Sequence, residues 1–305
     1  MLILSKIECK RNPWRPIFSS LYKFEVSRRE FAILLHMNIL RFPLLDEEQL
    51  TDQFQQTMRL PMNEAGEMRL RGALQALMGE LLRHNPKYDM RVQSMLLACH
   101  LRLRALQNHV LASRRENDFA PQRCDLRAWF EDICAAADML LHPLGRSVVF
   151  NAPEETVEAA CAPRDIAWLL LELICNCARH SEGEEIRVAM DIKRKRHGMN
   201  YRSGQHRPAA CFVNVACEGE LDLRRLHAAG QRPGTGIAAV QRIAYLHGGS
   251  MIWLGSGGRS IASLRIPLRQ SAKLPLAETP DFVELLSDQL SPVYTALAPA
   301  ISVVE

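Results

Sequence analysis

No apolar run in this chain of 305 residues approaches the roughly eighteen that a bilayer-spanning helix needs, so nothing in it reads as a membrane span. The chain also lacks the order of a secretory leader. Its opening, MLILSKIECKRNPW, puts a short apolar patch before the charges instead of after them. Net charge is scarce, +4 at neutral pH, which gives no argument for nucleic acid or a membrane surface as partner. The nine cysteines are odd in number and fall mostly inside apolar patterns, as Cys99, Cys134, Cys175 and Cys211 do. That argues against a disulfide framework and for reduced, packed thiols in a cytoplasmic protein. Cys175-x-Cys177 has the wrong spacing for a zinc knuckle and no matching pair elsewhere. What remains is an ordinary globular balance, 48% apolar and 24% charged, with core enough for about two domains.

Residues 1–60 contain SRREFAILLHMNILRF and DEEQLTDQFQQTM, which read as two short helices split near Pro43 and form a helical extension without a motif. In residues 61–118, one helix over 64–84 places Met68, Leu70, Leu74, Leu77, Met78 and Leu81 on one face. After the breaker NPKYD a second runs from Met90 to about Ser113. Two such helices make a hairpin too thin to bury its own stripes, so pairing with a second copy into a four-helix bundle is expected. Arg102, Arg104, Arg114 and Arg115 read as a solvated basic face. The polar segment RRENDFAPQRC marks the boundary to a mixed helix–strand region, 119–268. There a helix from Cys124 precedes two short strands (RSVVFNAP, at an edge, and VEAAC) and the helix 163–180. The strands EIRVAMDIK and AACFVNVAC flank a basic tip, a glycine-led helix follows, and SMIWLGSGG with SIASLRIPL closes the region as a hairpin. The tail, 269–305, carries one expected helix, FVELLSDQL.

Two stretches carry chemistry. In DIAWLLLELICNCARHS, Glu172, Asn176 and His180 recur every four residues and form a polar stripe on an otherwise apolar helix. Asn176 offers a neutral oxygen suited to magnesium, and Glu172 could order a water in that ion's shell or accept a proton. The alternative is a polar stripe that simply faces water. Further on, Gly234-Thr235-Gly236 opens a helix, where unpaired amides and the helix dipole favour an anion. Its alternative is a helix start that needs unusual backbone dihedrals.

LLLELICNCARHS resembles the N-box of the GHKL ATPases, specifically of two-component sensor histidine kinases. GTGIAAVQRIAYLHGGSMIWLGSGGRSIASLRIPL resembles their second glycine box and closing strands, in the family's order and separation. The resemblance implies an α+β chain, a dimerising helical hairpin followed by an α/β sandwich that holds ATP and Mg2+. It implies Asn176 as metal ligand, Glu172 as water-ordering residue or base, and Arg179 and His180 near phosphate. Gly219, Gly234, Thr235 and Gly236 would line the nucleotide. The first glycine box falls on Cys217-Glu218-Gly219-Glu220-Leu221, where Cys217 replaces the aspartate that would bind the adenine amino group. Losing a charge-assisted bond of about 1.5–3 kcal/mol weakens adenine binding roughly tenfold to a hundredfold. In the phosphoacceptor box, Met68 and Arg69 replace the histidine and its acidic neighbour, with His84 and His100 elsewhere in the hairpin. The expectation is a cytoplasmic, homodimeric, histidine-kinase-like signalling protein, weak or degenerate in catalysis, that acts with a response regulator or another kinase. The alternative is a dimeric docking scaffold without nucleotide, and a serine-directed kinase of the anti-sigma type ranks last because that class usually lacks the hairpin.

Overall fold

The structure is a computed structural model that describes residues 47–61, 66–83, 90–193, 210–220, 228–230, 235–268 and 273–301. The helix expected over SRREFAILLHMNILRF, the basic tip after Lys193, His84 and Gly234 lie outside these residues. In chain order the elements are α1 (Glu47–Met58), α2 (Glu67–Arg83), α3 (Met90–Ser113), β1 (Gln122–Asp125), α4 (Leu126–Leu141), β2 (Ser147–Asn151), β3 (Glu158–Cys161) and α5 (Pro163–His180). They continue with β4 (Glu185–Lys193), β5 (Ala210–Glu218), α6 (Gly236–Leu246), β6 (Ser250–Ser256), β7 (Arg259–Pro267), α7 (Phe282–Ser287) and α8 (Pro292–Ile301).

Strict alternation in EIRVAMDIK, ACFVNVACE and RSIASLRIP makes a one-sided sheet. Its order is β2-β4-β5-β7-β6, with β2 and β4 parallel and the other pairs antiparallel. Val215 lies opposite Val188 on one side and Ala262 on the other, and Val213 lies opposite Met190 and Leu264. This buried row meets α5 and α6, while α4 packs on β2. The expected edge strand is β2, as read. One start differs from expectation. Cys124 and Asp125 end β1, which pairs with β3, and the helix begins only at Leu126. Asp125 caps it, accepting from the amides of Arg127 (3.1 Å) and Ala128 (3.4 Å), a role that requires extended backbone at 125.

α2 buries Leu70, Leu74, Leu77, Met78 and Leu81 completely, with α1 and α3 packed on it. The stripe expected to need a second copy is therefore covered within one chain. α3 also packs on α6 and α8, and residues 47–305 form one compact unit. The tail carries two helices where one was expected. α8 is its most buried part, with Val293, Ala296 and Leu297 against α5, α3 and α4. Pro292 opens it at the first turn, where no amide is needed, and Pro299 falls in its last turn.

Two histidines are packed neutral. The amide of Ala162 donates to Nε2 of His247 (3.0 Å), and Nδ1 of His247 donates to the carbonyl of Ile243 (2.7 Å), which ties the C-cap of α6 to the start of α5. Burial lowers the His247 pKa and pushes that of His100 down to about 4. Both shifts lie below the ordinary value of 6.5. The unfolded chain therefore binds protons that the folded chain resists, so stability is full above pH 6.5 and falls as pH drops below it. Urea unfolding between pH 7.5 and 5 should show this loss, and His100→Phe should reduce its slope.

Candidate functional site

The site is built on α5, whose sequence is apolar on nearly every face because it is enclosed by the sheet, α4, α6 and α8. Only its last turn emerges. The polar stripe therefore runs from buried to exposed along the helix. Glu172 has no exposed surface, Asn176 is half-buried, and Arg179 and His180 are exposed.

Glu172 is held from outside its own helix. Nη2 of Arg104 on α3 donates to its Oε2 at 2.5 Å, and Nδ2 of Asn108, one turn further, donates to its Oε1 at 3.1 Å. The indole N–H of Trp168, one turn before Glu172, donates to Oδ1 of Asn108 at 2.8 Å. Two pairs spaced by four residues on separate helices thus interlock, which is the spacing that puts side chains on one face. Burial raises the Glu172 pKa, while the Arg104 charge, the bonds from Asn108 and Arg104, and the Arg179 charge favour the carboxylate. In this arrangement both carboxyl oxygens of Glu172 accept hydrogen bonds from α3. Arg104 is half-buried at this carboxylate and does not belong to a solvated face. Arg114 pairs with Asp165, and Nη2 of Arg102 donates to the carbonyl of Leu60 at 2.7 Å.

The glycine-led turn meets the same carboxylate. A Cβ on Gly236 would overlap Oε2 of Glu172, so the amino end of α6 lies directly against it. Thr235 caps α6, accepting from the amide of Ala238 (3.2 Å), and its hydroxyl donates to the carbonyl of Ala229 (2.6 Å). The carboxyl of Glu172 thus lies at the amino end of this helix. Gly219 follows β5 at a φ of +131°, a conformation that favours glycine. Its amide donates to the carbonyl of Gly258 (2.8 Å), and a Cβ would crowd the carbonyl of His180, so this glycine has a local structural reason.

Around Asn176 the residues expected at a metal–nucleotide site come together only in part. Nδ2 of Asn176 is buried without a partner, an amide that calls for an acceptor close by. Cys217, at the end of β5, is buried against Cys177 of the next position on α5. A bond from Cys177 lowers the Cys217 pKa, burial opposes this, and Ser181 and the Arg146 charge add to the lowering. The pair is a packed dithiol where the resemblance implies an adenine-binding carboxylate. Cys217 does not fit an adenine amino group as an aspartate would. Among the described residues no group of three or more His, Cys, Asp or Glu side chains is placed to hold a metal ion by itself. Sequence reasoning missed Arg104 and Asn108, although a polar pair four residues apart between Leu103, Leu106 and Leu111 was the available signal.

No family model and no curated protein matches the sequence. Solved structures do match. A histidine kinase, AdeS of Acinetobacter baumannii, is 17% identical over 65% of this chain and 96% of its own, at a TM-score of 0.46. ShkA, solved at full length in complex with AMPPNP, is 16% identical over 72% of this chain and 46% of its own, at 0.50. The ATP-binding domain of PrrB from Mycobacterium tuberculosis is 18% identical over 49% of this chain and 98% of its own, at 0.38. The α+β architecture of this chain is therefore similar in fold to ShkA, the likeness lying in the fold alone.

Proposed function

We propose that this chain is a histidine-kinase-like signalling protein whose GHKL domain takes ATP with Mg2+ at the face between α5 and α6, and that the described state is a resting one. The observation that carries this reading is the glycine-led amino end of α6 set directly against an anion on α5. That is the chemistry a phosphate would meet. Asn176 would hold Mg2+, which would screen phosphate charge. Arg179, His180, Gly219, Gly234, Thr235 and Gly236 would surround the nucleotide, with Gly234 outside the described residues. Glu172 would reach water only after Arg104 withdraws. Among the described residues no helix is long and apolar enough to cross a membrane. We place the protein in the cytoplasm as a homodimer that acts with a response regulator or another kinase. The dimer would use surface other than the buried stripe of α2. The position of the family's phosphoacceptor holds Met68, which is exposed and cannot carry a phosphoryl group, so we place the protein nearer a pseudokinase than a kinase.

A second reading, a scaffold that docks a regulator without nucleotide, is favoured by one specific observation. Cys217 is a buried thiol where adenine would need a carboxylate.

Calorimetric titration with ATP, with and without Mg2+, separates the two. Weak, Mg2+-dependent binding is expected, and no heat at millimolar ATP supports the scaffold. Asn176→Ala should abolish the Mg2+ dependence while leaving the thermal midpoint near that of the parent. An equal affinity would remove Asn176 from the site.

Arg104→Ala leaves a buried carboxylate without its counter-charge, at a cost on the order of 3–5 kcal/mol. Chemical denaturation should show that loss, with Glu172→Gln in the same chain recovering most of it. If the described state is resting, the double variant should also bind ATP more tightly than the parent. Cys217→Asp should tighten ATP by about tenfold and leave inosine triphosphate, which lacks the amino group, unchanged. An equal gain for both nucleotides would sink the account of Cys217.

A further inference from the structure

The last turn of α5 and the end of β5 carry one cysteine each, Cys177 and Cys217, and the chain around the pair is tied down. The amide of Glu182 donates to the carbonyl of Glu218 at 3.0 Å, which holds the turn after α5 to the end of β5. Nη2 of Arg146 donates to the carbonyl of Ser181 at 3.1 Å, and its Nη1 donates to that of Gly183. Between these anchors the Cys177 thiol donates to the sulfur of Cys217.

Access singles out the same two residues. Of the eight cysteines among the described residues, six are at most 1% exposed, whereas Cys177 and Cys217 each keep 9%. Spacing excludes the other neighbouring pair. Cys124 of β1 stands opposite Ala159, and Cys161 of β3 opposite Gln122, so these two are diagonal across their ladder. Diagonal residues lie about 7–8 Å apart, beyond the roughly 4.4–6.8 Å that a disulfide spans. Charge adds to access. The bond from Cys177 lowers the Cys217 pKa against burial, and Ser181 and the Arg146 charge add to the lowering, which favours the nucleophilic thiolate. Burial instead pushes Cys175 up to about 12.

We infer that Cys177 and Cys217 are a modification site, a redox-sensitive pair that a hydroperoxide converts to a reversible intramolecular disulfide. The sulfur of Cys217 attacks the peroxide, so that an S–O bond forms, the O–O bond breaks and the departing oxygen leaves as water with the thiol proton. The sulfur of Cys177 then attacks that of Cys217. The S–S bond forms, the S–O bond breaks, and hydroxide leaves as a second water with the Cys177 proton. Two thiols lose two electrons, which the peroxide takes up. The new bond draws the end of β5 onto the turn that carries Asn176, where the resemblance places adenine. That consequence for ATP rests on the nucleotide reading, whereas the disulfide itself does not.

The test uses the full chain without nucleotide, treated with about equimolar hydrogen peroxide and then alkylated. Mass spectrometry should show two of the nine thiols lost, with the bond mapped between Cys177 and Cys217 and both thiols restored by a dithiol reductant. This mapping reads the parent chain and stands even if a variant fails to fold. Cys177→Ser and Cys217→Ser should each cut the loss about tenfold or more, and Cys124→Ser should not change it. In the Cys177→Ser chain, dimedone should trap a sulfenic acid on Cys217. No thiol loss, a bond mapped to other cysteines, or oxidation that stops at sulfinic acid would overturn the pair. Dimedone on Cys177 of the Cys217→Ser chain, with none on Cys217 of the other, would overturn the order of attack. Calorimetry of the two forms should then show ATP bound about threefold more weakly by the oxidised chain. Equal affinities would overturn the link to the nucleotide, while the mapped bond decides the disulfide.

Discussion

A carboxylate with no exposed surface constrains everything around it, and Glu172 is such a group. Isolated in a protein interior, an ionised carboxyl is so costly that it takes up a proton or recruits partners. Here it recruits them from two other elements. α3 supplies a guanidinium and a carboxamide, and α6 supplies the positive end of its dipole at a position with no side chain. Each partner fixes a piece of chain. Arg104 and Asn108 require α3 to lie over α5, Gly236 requires α6 to start against it, and Trp168 orients the carboxamide so that its N–H2 faces Glu172.

From that requirement follows the joining of two regions that the sequence separates. A hairpin that had only to dimerise would leave its second helix polar on the face turned away from the bundle. α3 instead carries Arg104, Asn108 and Leu111 toward α5, α6 and α8, and all but Arg104 are buried. The tail completes the enclosure, because α8 covers α5 and α3 together.

The fold was largely readable because its signals are local. Alternation in β4, β5 and β7 and the three–four spacing in α2, α4 and α5 depend only on which face is covered. The site was less readable because its partners are distant in sequence. Glu172 and Asn176 stand out on their own helix, but Arg104 lies sixty-eight residues away and arginine on a helix surface usually faces water. The same limit hid α8, where two prolines mask a helix whose stability comes from the core it enters. At Asp125 the cap was misread as helix interior, since a residue that starts a helix and one that continues it differ only in backbone conformation.

The retained glycines are weaker evidence of a nucleotide than their pattern suggests, and Glu172 is what gives them meaning. Gly219 is required by its positive φ and by the nearby carbonyl of His180, and Gly236 by the carboxylate against it. Either would be kept in a protein that binds nothing. But a carboxylate and a triphosphate are alike in sign, and the amino end of one helix cannot hold both. A nucleotide at α6 must move Glu172, and moving Glu172 breaks its bonds to α3. On the proposed reading, nucleotide occupancy and hairpin docking would oppose each other through a single side chain, and whatever weakens Arg104's hold on Glu172 would favour the nucleotide.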